Sequence, residues 1–329
     1  MGRRVWSDPE ILELSNRFVL AADEVWRLQR DEEPECRFFR RSVRGNEEPS
    51  RGTLQGTYVL APGGQLLARR NSGNPRAIAE MLRKALERWE ELDDAQRTLA
   101  DPASVAPGFR WEDSYPEGGL VLRRTARDLP ADGDSSTEPT GRFNRDAIWF
   151  HQGELEDWLP ESLEPGATRE LPEALVHRLS CLALVDNVRG QTIPYHPEDD
   201  LGSELRTEVR AVDGDRITLA ILGQTRVESP GSWAYEDENN WKPRPEQSWP
   251  HGISTEVTGR AVYDRARACF VEFELLALGE RHGRTIMQAR QSADPSPIGF
   301  VCELAPPTWR VAPTFINVYD VDWVREPKR

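Results

Sequence analysis

The chain reads as an α+β protein in two parts. A small mixed domain covers residues 1–95, and a mainly antiparallel β domain covers 111–329. The second part is expected as a sandwich or partly closed barrel with one or two helices, and residues 96–110 read as a linker. Three observations predict this. Gly52 to Trp89 runs strand, tight turn, strand, capped helix. Two later strand pairs flank short turns at Asp213-Gly214-Asp215 and Asp264 to Ala268. Between 93 and 110 the composition shifts to Asp, Ala, Pro and Gly, as linkers do. A length of 329 residues fits two domains.

Ser7-Asp8-Pro9-Glu10 has capping-box spacing. The serine hydroxyl accepts from the Glu10 N–H, and Glu10 reaches back. Ile11, Leu14 and Phe18 give the helix that follows an apolar face. Phe18 to Ala22 reads as a short buried strand. Asp23 to Arg30 reads as a turn or short helix, and Cys36 to Val43 as a helical turn burying Phe38 and Phe39.

Gln55 to Leu60 and Gln65 to Arg70 are strands joined by Pro62-Gly63-Gly64, where glycine tolerates positive φ. Asn74 caps the next helix, and Pro75 takes its first position, where the missing N–H costs nothing. Ile78, Met81, Leu82, Ala85, Leu86 and Trp89 then form one continuous helical face.

Gly119 to Arg127 predicts a strand, and residues 129–142 a low-order stretch. Phe143 to Trp158 mixes aromatics with charge and specifies no element. Leu171, Leu175, Leu179 and Leu182 fall at helical spacing. Strands are expected over Glu204–Val212, Arg216–Val227, Val257–Tyr263, Cys269–Leu278, Phe300–Leu304 and Thr314–Tyr319.

Net charge is −14, and the excess is uneven. Residues 1–94 hold 16 basic and 17 acidic side chains, against 26 and 39 in the remainder. The second part therefore repels phosphate backbones and anionic membranes, which argues against nucleic-acid partners. No apolar run approaches the roughly 18–20 residues that span a bilayer. The N-terminus has no continuous apolar core, so a cytoplasmic protein is expected; a processed secreted chain would look the same. The four cysteines are widely spaced, unlike a disulfide scaffold.

The Gly52–Trp89 unit resembles the closing hairpin and last helix of the thioredoxin fold. The Ser7 helix and the Phe18–Ala22 segment resemble that fold's first active-site helix and the strand after it. The resemblance covers under a third of the chain. It implies a cysteine at the N-terminus of that first helix, where backbone N–H groups lower the thiol pKa. Here the position reads Arg4-Val5-Trp6-Ser7, and no Cys-x-x-Cys occurs anywhere. The family's cis-proline would fall near Gln55-Gly56 and is also missing. What the resemblance implies is a redox-inactive module that binds or packs.

Four segments are candidate sites. Cys36 lies beside Glu35 and Arg37, where an exposed thiol would be reactive. His151 and Glu154 share one face if helical, a weak metal-ligand pair. Tyr195 to Asp200 gathers His196, Glu198 and Asp199, candidates for general-base or metal-assisted chemistry. Gly231 to His251 carries Trp233, Tyr235, Trp241 and Trp249 in a polar setting, as recognition surfaces do.

No Walker motif, Gly-x-Ser-x-Gly elbow or His-Glu-x-x-His occurs. The reading that follows is a non-catalytic binding or scaffold protein. Its partner is an unknown protein or a neutral or cationic small molecule, it needs no cofactor, and its surface lies on the aromatic segment. The alternatives are an enzyme centred on His196 and thiol redox chemistry through Cys36.

Overall fold

In the computed structural model the described residues are 5–6, 8–23, 25–44, 53–106, 108, 110–130, 143–190, 192–231, 235–237, 240–241, 248–285, 288, 290 and 292–319. The chain divides into two compact units, Met1–Arg110 with Pro327–Arg329, and Trp111–Glu326.

The first unit holds helices α1 (Pro9–Ser15), α2 (Val25–Arg30) and α3 (Pro34–Arg44), strands β1 (Thr57–Leu60) and β2 (Leu66–Arg70), and helix α4 (Pro75–Glu90). α1 is capped by Asp8, whose carboxylate accepts from the Glu10 and Ile11 N–H groups at 3.0 and 3.4 Å. That moves the expected cap by one residue; Ser7 lies outside the described residues. β1 and β2 pair antiparallel, with Gly64 at φ +92° in the turn. α4 follows the sequence closely: Asn74 accepts from the Arg76 N–H at 3.0 Å, and Ile78, Ala79, Met81, Leu82 and Ala85 are buried. They pack with Val5, Ile11, Val59 and Leu67.

The strand expected at Phe18–Ala22 does not form. Two helical-type hydrogen bonds, Arg17 N–H to Leu14 O and Phe18 N–H to Ser15 O, close α1, and the chain then runs out with Val19 100% exposed. Among the described residues this unit pairs two strands. Phe38 and Phe39 are half-buried on α3, not buried as expected.

The second unit is built on one antiparallel sheet of eight strands in the order β4-β3-β12-β11-β10-β7-β6-β5. These are β3 (Leu120–Asp128), β4 (Phe143–Phe150), β5 (Thr168–Glu170), β6 (Glu204–Asp213), β7 (Arg216–Ser229), β10 (His251–Asp264), β11 (Cys269–Gly283) and β12 (Ser296–Leu304). A separate pair, β8 (Tyr235–Asp237) and β9 (Asn240–Trp241), lies within the connection from β7 to β10. The long strands alternate buried and exposed residues, the pattern of a sheet with one wet face.

Where the sequence predicts a sandwich or a partly closed barrel, the described residues form one continuous eight-stranded sheet instead of two facing ones. Helix α5 (Glu173–His177) runs straight into a π-helical turn, Arg178–Ala183, which touches both β4 and β7. Four strands separate β4 from β7, so the sheet curls around this segment. Leu175, Leu179 and Leu184 fill the concavity with Trp158, Phe273, Leu275 and Phe300. Trp158 meets Phe150 and Phe273 edge-on, each at 5.4 Å between ring centres, the favoured aromatic geometry.

Two further expectations change. Phe143–Phe150 is edge strand β4, with Ile148 and Phe150 facing the core and Ala147 and Trp149 the opposite side. Because it is covered on both faces over its second half, it lacks the alternation that marks a strand. Thr314–Tyr319 forms a 3-10 turn over Ile316–Val318 instead of a strand. It packs Ile316 and Tyr319 on Val121 and Trp149, which needs side chains and no ladder.

Candidate functional site

The concave face changes character along its length. At one end it is apolar, with Phe273, Leu275, Ala277, Leu219 and Phe300. Toward the other end the same face carries the buried Thr225, Thr255 and Arg281 and the half-buried Asp128. Register places His251 opposite Ser229 and Gly283, Arg281 opposite Ser296, and Ile298 opposite Asp128. These residues therefore share one end of the sheet. The connection that carries Tyr235, Trp241 and Trp249 leaves from this end.

Two loops cover it and bring charge into the interior. After the apolar run Leu182–Val185 come Asp186 and Asn187, 6% and 7% exposed. Arg290, 5% exposed, donates to both carboxylate oxygens of Asp186 and, at 2.8 Å, to Asp128. The second Asp128 oxygen accepts from Arg189 at 2.6 Å. Burial works to raise the Asp128 pKa, but the Arg290 and Arg189 guanidiniums outweigh it and hold the carboxyl below its usual range. Burial likewise works to lower Arg290, and its two carboxylate partners reverse the sign. Gln288 donates to the Asp186 carbonyl and accepts from the Thr285 N–H, tying the second loop to the first. Arg281 donates to Ser296 Oγ and the Gly283 carbonyl, both at 2.7 Å.

Beside this network the rings of Tyr195 and His251 lie 5.3 Å apart, tilted by 38°. His251 Nδ1 is 2.9 Å from the Trp249 carbonyl, which can only accept, so Nδ1 carries the proton. Burial lowers the His251 pKa, and this hydrogen bond offsets it in part. Burial also pushes the Tyr195 phenol up, and the nearby Asp186 and Asp199 charges add to that. Trp249 is half-buried, with the Arg284 guanidinium 4.8 Å from its ring centre.

The neck of the aromatic connection is fixed by backbone approach. Trp249 N–H donates to the Gly231 carbonyl at 2.8 Å. Gly231 has φ +62°, and a Cβ there would sit 1.9 Å from the Trp249 carbonyl oxygen. Only glycine fits both demands.

Two segments singled out in the sequence thus meet. Tyr195, from the first, stacks on His251, at the end of the second. Asp200 bridges to Val227 on β7. Tyr235 stands opposite Trp241 in the β8–β9 register. Trp233 and the side chains of Tyr235 and Trp241 lie outside what is described.

The other candidates are placed differently. His196 and Glu198 are exposed, whereas Asp199 is buried and accepts from the His196 N–H at 3.0 Å, the role of a cap. Ser180 donates to Asp200 at 2.9 Å, and Cys181 donates to the His196 carbonyl at 3.6 Å. Neither nucleophile hydrogen-bonds a histidine ring, and burial pushes the Cys181 thiol up to about 11. That geometry does not favour nucleophilic catalysis here.

Glu154 lies on a 3-10 turn; it accepts from the His151 N–H at 2.6 Å and pairs with Arg178 at 2.7 Å. Its oxygens tie the turn to Arg178, the first residue of the π-helical turn after α5.

In the first unit Cys36 is fully buried, and burial pushes its thiol up to about 11 despite the nearby Arg27 charge. Glu33, Glu35 and Cys36 converge within metal-ligand reach, but Arg27 already binds both carboxylates. A cation there would have to displace a guanidinium.

Sequence reading missed Asp128, Asp186, Arg189, Arg281 and Arg290. Arg290 is 104 residues from Asp186 and 162 from Asp128, beyond any local spacing. The one legible signal was polar Asp186-Asn187 closing an apolar run. Comparison with known proteins finds no matching family model, no matching curated relative and no matching solved structure.

Proposed function

We propose that the protein is a non-catalytic binding module. Its site is the polar end of the eight-stranded sheet, and its ligand is a neutral, polyhydroxylated molecule of the saccharide class. One observation carries this reading. The neck of an aromatic-rich connection is pinned beside the stacked Tyr195 and His251 rings, on a floor whose buried carboxylates are already neutralised. With the Tyr195 and His251 rings buried behind it, the half-buried Trp249 would offer its ring face to an apolar sugar face, and amide, hydroxyl and guanidinium groups at this end would donate to hydroxyls. The acidic excess of the second part works against anionic ligands.

The aromatic segment supplies the platform in this reading, and the closed Asp128–Arg290–Asp186 network keeps the floor rigid. A panel of neutral hexasaccharides titrated into the full chain, read by tryptophan fluorescence, tests it. Saturable binding that weakens about tenfold or more in Trp249→Ala is expected, as for an aromatic anchor in a binding site. Binding unchanged in a folded Trp249→Ala would remove the site from this end. The absence of binding to any neutral member would remove the ligand class.

The thioredoxin-like character of the first unit belongs to the same proposal. It is supported by the β1–β2 hairpin followed by α4, in the order that closes that fold. In this reading the unit has a packing or recognition role, consistent with the buried Cys36.

A further inference from the structure

The first unit carries a groove that plays no part in the reading above. The groove, of about 350 Å³, runs between β2 and α4. Leu66, Ala68, Ala77 and Met81 form its apolar part. Arg69, Arg70, Lys84 and Arg88 supply its charge, against the single acid Glu80. The helix contribution follows from periodicity: Ala77, Lys84 and Arg88 recur at offsets 0, 7 and 11 along one stripe, which the buried Met81 meets at the rim of the core face of α4.

Two features make this groove more than a surface dent. Among the described residues β2 pairs with β1 and with no other strand, which leaves its outer edge without a strand partner, although the Leu67 carbonyl already accepts from Arg88. A free edge is a template for another extended chain. Arg69, Arg70 and Lys84 are exposed, and no ion pair is found for them among the described residues, whereas Arg83 next to Lys84 is paired with Glu10. Arg88 differs from them, since it donates to the Leu67 carbonyl and so ties the helix to the strand.

We propose that this groove docks an extended acidic segment of a partner protein. The segment would add to the outer edge of β2 and set its carboxylates against Arg70 and Lys84. Its small apolar side chains would rest on Ala68, Ala77 and Met81. Leu66 to Arg70 spans about 13 Å at roughly 3.3 Å per residue, the length of four or five strand residues. Basic side chains also guard free edges against self-pairing. Guarding alone requires no apolar groove beside the edge, and none on a helix stripe of matching charge.

The test is a fluorescence-anisotropy titration of the full chain with a labelled peptide that repeats glutamate-serine-valine-serine, which sets glutamate and valine on one face of the added strand. Saturable binding at low salt is expected, weakening steeply as salt rises. Arg70→Glu and Lys84→Glu should each weaken it about tenfold, with unchanged circular dichroism because both side chains are exposed. A lysine–valine peptide should not bind. Methylating alternate peptide nitrogens should abolish binding, because strand addition needs those N–H groups. Four results would each overturn the proposal: no saturation up to roughly 1 mM, undiminished affinity in both variants, equal binding of the methylated peptide, or inorganic phosphate competing as well as the peptide does.

Discussion

At the scale of single residues, Asp146, Asp186 and Asp128 are tolerable inside the second unit because arginines pair with them. Arg124, fully buried on the core face of β3, faces Asp146 at 3.0 Å and Asn144 at 3.1 Å. Arg290 holds Asp186 and Asp128 together. Removing one member leaves an uncompensated buried charge. Arg290→Met should therefore destabilise the protein by about 3–5 kcal/mol, read as a lowered urea midpoint. An unchanged midpoint would mean the network is not buried as described.

His251 makes a pH prediction. Its folded pKa lies below the reference 6.5, so the unfolded chain binds more protons as pH falls past that value. Stability is full above this range and declines as pH drops through it. Asp128, depressed from 3.8, keeps its contribution until far lower pH and adds no slope there. His251→Phe, which keeps a ring against Tyr195, should flatten urea stability between about pH 7.5 and 5.5; an equal slope in the variant would assign it elsewhere.

Thiol labelling gives a third check at this scale. Cys36, Cys181 and Cys302 are buried, with thiols pushed up to about 11, 11 and 12, while Cys269 is half-buried. Neutral-pH labelling should modify Cys269 first and leave the others until unfolding. Rapid loss of the Cys36 thiol would reopen the redox reading.

At the scale of elements, local chemistry was legible wherever it decided the outcome. Asn74 and Pro75 start α4 by capping, and the turn at Gly214, with φ +58°, joins β6 to β7. β4 and the 3-10 turn at Ile316 were not legible, because tertiary cover on Trp149 and Ile316 replaces any periodic signal. Phe18–Ala22 has a strand's composition, yet the described residues offer it no pairing partner. The neck of the aromatic connection depends on Gly231. Gly231→Ala should raise amide exchange around residues 248–252 and cost about 1–3 kcal/mol, since it forces a strained φ and a carbonyl clash. Wild-type exchange rates in that variant would contradict the neck geometry.

At the scale of the whole molecule, the antiparallel β character was readable from two hairpins, while the sheet order was not. β3 and β4 come early in the chain but pair beside β12, which comes last. Nothing local to Leu120 or Phe300 specifies that neighbour. The candidate site shares this property: Tyr195 and Trp249 were visible as separate segments, and their meeting through His251 is a product of topology.

In the proposed function this meeting point binds ligand. The most direct test is hydrogen–deuterium exchange of the full chain with and without a saturating neutral hexasaccharide. Slowed exchange confined to residues 185–200, 231–253 and 281–292 is the predicted result. Protection elsewhere, or none under conditions where the sugar binds, would contradict it.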